Sequence, residues 1–216
     1  MLVLFASSNP HKVAEVRAVL EPLGWEVMGL DALGELPAEP EEDGPSFAAN
    51  ARIKAQSYAG ATGRFCLADD SGLVVDALGG APGVHSARYA GAEGSRGTRD
   101  RANNDKLLAE LARLPAEERT ARFVCALCLV RPDGTIVAET TGTCEGVITD
   151  HPRGENGFGY DPLLYLPDRG LTVAELSAEE KNAISHRARA AQQARQILKE
   201  LLYEQRSGVH PPHPAG

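Results

Sequence analysis

The sequence predicts an α/β protein built on a mixed, partly antiparallel sheet. Three observations carry that prediction. Short apolar runs alternate with helix-period segments in the first third of the chain. After residue 120, strand-like runs follow one another directly, separated by a turn. No run of 18 or more apolar residues occurs, so no membrane span is expected.

The elements follow in order. Residues 2–6 are a short apolar run, read as a first strand. Ser7-Ser8-Asn9-Pro10 is a helix-start signal, a polar cap followed by Pro at the first helical position. Val13, Val16, Leu20 and Leu23 recur at helical spacing and Gly24 stops the helix. Residues 25–30 read as a second strand and residues 31–45 as a Pro- and Glu-rich loop. Ser46 starts a second helix with Phe47, Ala51, Ala55 and Tyr58 along one face. Two strands are expected on either side of the stretch ADDSG, residues 68–72. A loop follows at residues 79–83, then a helix over 98–114 with Leu107, Leu108, Leu111 and Leu114 apolar. Strands at 122–131 and 135–149 flank a Pro-Asp-Gly turn, and residues 150–170 read as loop. Ser177-Ala-Glu-Glu180 is a capping box opening a short helix, and His186 begins a long one. With no internal repeat and no strong linker, residues 1–206 read as a single domain. Residues 207–216, rich in Pro, read as a disordered tail, in which His210 and His213 are expected to bind nothing.

Composition narrows the function. The chain of 216 residues has 22 Lys and Arg against 30 Asp and Glu, a net charge of −8. That balance argues against general nucleic-acid binding, which needs clustered cations to neutralise phosphates. The first residues carry no basic n-region and too short an apolar run for a signal peptide, so a cytoplasmic protein with no membrane partner is expected. Cys125-Ala-Leu-Cys128 has redox or zinc spacing, but it falls on a strand, where residues three apart face opposite sides. Cys66, Cys125, Cys128 and Cys144 are therefore expected to be buried thiols.

Four constellations can carry chemistry. The strand–SSNPHK–helix junction would offer an anion the unpaired N–H groups of a helix N-terminus, with Ser7, Ser8 and Asn9 small and polar and Lys12 one turn in. Alone, it reads rather as a capped helix with a surface lysine. Glu42, Asp69 and Asp70 are hard oxygen donors of the kind Mg²⁺ prefers alongside substrate phosphates. Two carboxylates between apolar runs must be solvated, paired or bound to a cation, although Asp-Ser-Gly composition also fits a turn. In Gly157-Phe158-Gly159-Tyr160-Asp161-Pro162 the aromatic rings could stack on a base and the glycines let backbone approach it. His186 and Arg187, in Lys181-Asn-Ala-Ile-Ser-His-Arg187, put basic groups at a helix start, where positive charge is mildly unfavourable.

Together these motifs resemble one family. SSNPHK resembles a T-G-N-x-x-K phosphate motif, ADDSGLVVDALGGAPGVHSARYAG is very similar to the family's longest signature, and FGYDP and EEKNAISHR complete the set in order. The chain is identified as similar to the Ham1/RdgB family of noncanonical purine nucleoside triphosphate pyrophosphatases from residue 2 to about 203. The resemblance implies an elongated mixed sheet flanked by helices, two lobes with a cleft between them, and a homodimer. It implies hydrolysis of dITP, ITP, XTP or dXTP to monophosphate and pyrophosphate, with Mg²⁺ as cofactor. Carried over by position, Ser7, Ser8, Asn9, Pro10, His11 and Lys12 hold the triphosphate, with Lys54 also facing the phosphates. Glu42 and Asp70 bind the metal; Asp70 is also the proton acceptor, aided by Asp69. Ser71 contacts substrate, and Phe158, Gly159, Tyr160, Asp161, Lys181, His186 and Arg187 form the base pocket. Two departures stand out: Ser7-Ser8 replaces Thr-Gly, so the backbone at Ser8 must avoid angles that only Gly adopts, and His85 replaces a common Tyr. A binder that does not hydrolyse, and a pyrimidine-specific pyrophosphatase like the related Maf family, are the competing readings.

Overall fold

The structure is a computed structural model, which describes residues 1–207. The tail expected at 207–216 lies, beyond Ser207, outside the described residues. The strands are β1 (Leu2–Phe5), β2 (Glu26–Gly29), β3 (Cys66–Val75), β4 (Thr120–Val130), β5 (Ile136–Ile148), β6 (Leu164–Leu166) and β7 (Leu171–Thr172). The α-helices are α1 (Pro10–Leu20), α2 (Phe47–Thr62), α3 (Arg96–Leu111), α4 (Ala178–Ile184) and α5 (His186–Ser207). The strands form one sheet in the order β2-β1-β3-β4-β5-β6-β7. β1 runs parallel to β2 and β3, and every later pairing is antiparallel. A mixed sheet was expected, and the alternation of early strands with helices explains why only its first edge is parallel.

Two expectations need correction. ADDSG is not a break between two strands. β3 runs unbroken through it, because β4 pairs with every residue from Cys66 to Val75, Asp69 opposite Leu127 and Asp70 opposite Ala126. Nor do the carboxylates lie where a strand ends. It is β1 that ends, at Phe5 opposite Leu67, so beyond it β3 has no strand partner on that edge, which is met again only at an isolated bridge from Val74 to Pro82. The second correction concerns residues 150–170, which contain β6 as well as loop. A three-residue strand between turns is too short for its period to show.

The core explains the two lobes. Val3, Phe5, Leu67, Cys125, Leu127 and Leu129 face α1 and α5, whose Val13, Val16, Ala190, Ala194 and Leu198 close that side. Leu4, Ala68, Ala126 and Cys128 face the other side, under Ala51, Ala55 and Tyr58 of α2. The far ends of β3, β4 and β5 enter a separate cluster with Leu107 and Leu111 of α3, Tyr160, Leu163 and Leu164. Cys125 and Cys128 thus lie in different clusters, as the strand period requires, and burial pushes both thiols up to about 12. Two glycines allow the close contacts that shape the site. A Cβ on Gly142 of β5 would come within 2.2 Å of the His186 carbonyl, so Gly lets the start of α5 lie on the sheet. A Cβ on Gly72 would come within 2.7 Å of the Gly83 carbonyl, so Gly lets the turn at 83–88 pack on β3.

Candidate active site

A cleft of about 580 Å³ opens between the lobes, above the edge of β3 that β1 leaves free. At its first end, Asn9 caps α1 and accepts the His11 N–H at 3.1 Å, with Pro10 at the first helical position. The Ser7 hydroxyl accepts the Asn9 N–H at 3.2 Å. No residue other than Gly has positive φ among the described residues, so Ser8 sits in ordinary backbone and its Cβ is accommodated. Ser7, Ser8, Asn9 and Lys12 line the cleft; Pro10 and His11 do not. The His11 ring instead stacks on Phe158, with centroids 5.5 Å apart.

Asp69 and Asp70 are neighbours in sequence and point to opposite faces of β3, as alternation along a strand demands. Asp69 turns toward α1 and α5 and is 1% exposed. It accepts from Lys12 Nζ at 3.2 Å, from the Ser71 hydroxyl at 3.1 Å, and from Arg187 Nε and Nη2, both at 3.1 Å. Burial would raise its carboxyl, but Lys12, Arg187 and Lys54 outweigh burial and hold it well below the usual carboxylate range. It does not line the cleft.

Asp70 turns toward α2 and does line the cleft. Its Oδ2 accepts the Asn50 amide N–H at 3.0 Å and its Oδ1 the Ser71 N–H at 3.0 Å, both neutral donors. Burial, with help from the like charge of Glu42, pushes its carboxyl above the usual value; the Asn50 hydrogen bond and nearby Lys54 and Lys12 only partly offset it. Lys54 pairs with Glu42 at 2.9 Å and donates to the Asp69 carbonyl at 3.2 Å. Burial would strip its proton, but Asp69, Glu42 and Asp70 raise it, so the ammonium stays charged. Glu42, Asn50 and Lys54 all line the cleft. Among the described residues no group of three or more His, Cys, Asp and Glu is placed to hold a metal. The residues present still fit one: Asp70 and Glu42 are hard oxygen donors, and Asp70 is a part-buried carboxylate with no cation bound directly to it. Two carboxylates with the remaining positions filled by water and phosphate is the arrangement Mg²⁺ favours.

The other end of the cleft holds Phe158, Gly159, Tyr160, Asp161 and His186. His186 is buried and stacks on Phe123, centroids 5.0 Å apart. Burial, then the charges of Arg187 and Lys181, push it well below its ordinary value, so the imidazole is neutral at pH 7. The Tyr160 hydroxyl donates to the Ser86 carbonyl at 2.9 Å. Two residues expected in the base pocket are held by other partners, Arg187 while still lining the cleft. Arg187 is 1% exposed and spends its guanidinium on Asp69, Ser71 and Glu15. Lys181 does not line the cleft; its ammonium lies 2.6 Å from Asp161 and 2.9 Å from Glu15 and is kept charged by both.

Sequence reasoning missed four residues that organise the site. Glu15, one turn after Lys12 on α1, joins Arg187 and Lys181. Asn50 holds Asp70. Asp100 and Asn104 hold Gly159. The available signal was polarity in the wrong place. Asn is a poor helix-interior residue, yet Asn50, Asn103 and Asn104 are all buried inside helices.

The chain has known relatives. Residues 3–197 match the Ham1 family. The chain belongs to that family. It is 49% identical over 208 residues to a dITP/XTP pyrophosphatase of Desulforamulus reducens, covering 95% of this chain and 99% of that one. It is 50% identical over 196 residues to a dITP/XTP pyrophosphatase of Bacillus licheniformis, covering 91% of this chain and 97% of that one. The fold matches a solved HAM1 protein from Coxiella burnetii with TM-score 0.81 and 39% identity, covering 93% of this chain and 99% of that one. The expected family and its mixed α/β fold are thereby established. Among the described residues, no helix is long and apolar enough to cross a membrane.

Proposed function

We propose that this Ham1-family chain hydrolyses noncanonical purine nucleoside triphosphates, dITP, ITP, XTP and dXTP, to the monophosphate and pyrophosphate. The observation that carries the reading is Asp70: a cleft-lining carboxyl, raised by burial and by Glu42, with only neutral hydrogen-bond donors. Such a group is suited to accept a proton or to meet a cation, and it lies in the same cleft as Lys12 and Lys54. The relatives' activity on dITP and XTP supplies the reaction.

Asp70 and Glu42 would hold Mg²⁺, which when bound would neutralise charge on the substrate's phosphates in an acidic protein. The protein's own groups do the rest. The N-terminus of α1, with Ser7, Ser8 and Asn9, takes the phosphate chain, and Lys12 and Lys54 balance the charge that develops on leaving pyrophosphate. Asp70 orients the attacking water and accepts its proton. Asp69, sealed beneath the cleft, fixes Lys12 and Arg187 rather than touching the water. The base lies toward Phe158, where neutral His186 offers one N–H to a 6-oxo group. Adenine, with a 6-amino group, leaves that donor unpaired. We place the enzyme in the cytoplasm as a homodimer, in line with the resemblance. The test is pyrophosphate release with Mg²⁺ from dITP, XTP, dATP, dGTP and dUTP. Turnover of dITP and XTP about a hundredfold above the others is expected, for dATP on the scale that this polar mismatch gives. Preferential turnover of dUTP, or binding without turnover, would overturn the reading.

A further inference from the structure

The loop that carries Phe158 is held with unusual completeness. The Phe158 N–H donates to Asp161 Oδ2 at 2.8 Å, and the Phe158 carbonyl accepts the Asp161 N–H at 3.2 Å. The Gly159 N–H donates to Asp100 Oδ2 at 3.0 Å, and the Gly159 carbonyl accepts the Asn104 amide N–H at 3.1 Å. Every backbone polar group of these two residues is therefore occupied from within the protein. Gly159 has φ +62, and Gly157, φ +77, would place a Cβ within 3.0 Å of the Asp161 carboxyl group, so both positions demand glycine.

The two outer contacts come from one helix face. Asp100 and Asn104 lie four apart on α3, one turn, and grip both sides of Gly159. Asn103, beside them, donates to the Ser86 carbonyl at 3.2 Å and accepts the Ala90 N–H at 2.8 Å, pinning the neighbouring wall of the cleft. The Asn104 amide has its direction fixed by this contact. Its Oδ1 is buried with no partner among the described residues, an energetic cost accepted so that the N–H can reach Gly159.

We propose that Asp100 and Asn104 are positioning residues that hold the Phe158 ring as a rigid stacking platform for the purine. A corollary follows: the Phe158 and Gly159 N–H groups are spent, so neither reads the 6-oxo group, and these two residues contribute a ring face and no backbone donor. This deepens the proposed pyrophosphatase function and rests on it.

Asp100→Ala removes the acceptor, Asp100→Asn keeps an oxygen in its place, and Asn104→Ala removes the donor on the other side. Steady-state pyrophosphate release from ITP is measured for each, together with competitive inhibition by inorganic tripolyphosphate, which occupies only the phosphate end. The expected result for Asp100→Ala and Asn104→Ala is a KM for ITP raised about tenfold, with kcat within about threefold and the tripolyphosphate inhibition constant unchanged. Asp100→Asn should stay within about threefold of wild type in KM. An Asp100→Asn defect as large as that of Asp100→Ala would overturn the proposal, because the carboxylate charge would then itself be reading the base. Equal loss of tripolyphosphate affinity would overturn it too, by showing general damage to the cleft. Should wild type release no pyrophosphate from ITP, the failure lies with the pyrophosphatase reading; a normal wild type with unaffected variants rejects the clamp alone.

Discussion

Asp69 and Asp70 share a side-chain type, a strand and a peptide bond, yet they sit in opposite electrostatic worlds. Asp69 faces α1 and α5, sealed from solvent, with two cations and a hydroxyl on its oxygens. Asp70 faces α2, lines the cleft, and receives only two neutral N–H groups while Glu42 repels it. One carboxyl is pushed down and the other up. When environment separates two carboxylates in this way, it separates their roles. Asp69 is the counter-ion around which Lys12 and Arg187 are built; Asp70 is the group left free to react. The strand period, which sends neighbours to opposite faces, is the whole cause.

The sharpest way to break the comparison is to neutralise each side in turn. Asp70→Asn should cost about a thousandfold in kcat for dITP, within the range of a lost general base. Its stability should not fall. A carboxyl whose folded value is raised costs stability at every pH above its unfolded value, and the neutral amide removes that cost while keeping one acceptor, for either Asn50 or the Ser71 N–H. A melting temperature at or above wild type alongside lost turnover is the expected pair of results; activity within a few-fold of wild type would remove Asp70 from the chemistry.

Asp69→Asn should behave in the opposite sense. It strips the shared counter-ion from buried Arg187 and from Lys12, and breaking a buried pair costs about 3 kcal/mol or more. Chemical denaturation should show that loss, with turnover falling because Lys12 is no longer fixed. Unchanged stability would mean that Glu15 alone suffices for Arg187.

The smallest effect is a pH dependence read beside the two carboxyls. His186 is held well below its unfolded value of about 6.5, so below that pH the unfolded chain binds a proton that the folded chain refuses. Stability contributed by this site is complete above about 6.5 and is lost as pH falls below it, by up to about 1.4 kcal/mol per pH unit. Asp69 adds nothing in that window, being ionised in both states. Denaturation midpoints between pH 7.5 and 5.5 should fall in wild type and fall less in His186→Asn.

Much of this was legible before the structure. The capped start of α1 at Asn9-Pro10, the helical stripe of α2 and the buried thiols at Cys125 and Cys128 all follow from local chemistry and period. β3 was not legible as one strand. Asp-Asp-Ser-Gly has the composition of a turn, and what overrides it is ten residues of pairing with β4, a contact between segments far apart in the sequence. The same limit applied to the site. The motifs named segments that meet at the cleft, but the division of labour within them depends on partners no local pattern contains. Arg187 reads as a helix-start cation free for the base pocket until its guanidinium is found on Asp69, 118 positions away. Lys181 reads as a base contact until Asp161 and Glu15 close on its ammonium.

The central claim concerns the ionisation of two adjacent carboxyls, and it can be measured directly. Carboxyl carbon shifts of Asp69 and Asp70 would be followed by NMR in metal-free protein from pH 7 downward, as far as the fold persists, with Asp69→Asn and Asp70→Asn used for assignment. Asp70 should titrate above the ordinary value of about 3.9 for Asp, while Asp69 stays ionised throughout. Two carboxyls titrating together near 3.9, or Asp69 taking up its proton first, would contradict the division of roles on which the proposed mechanism rests.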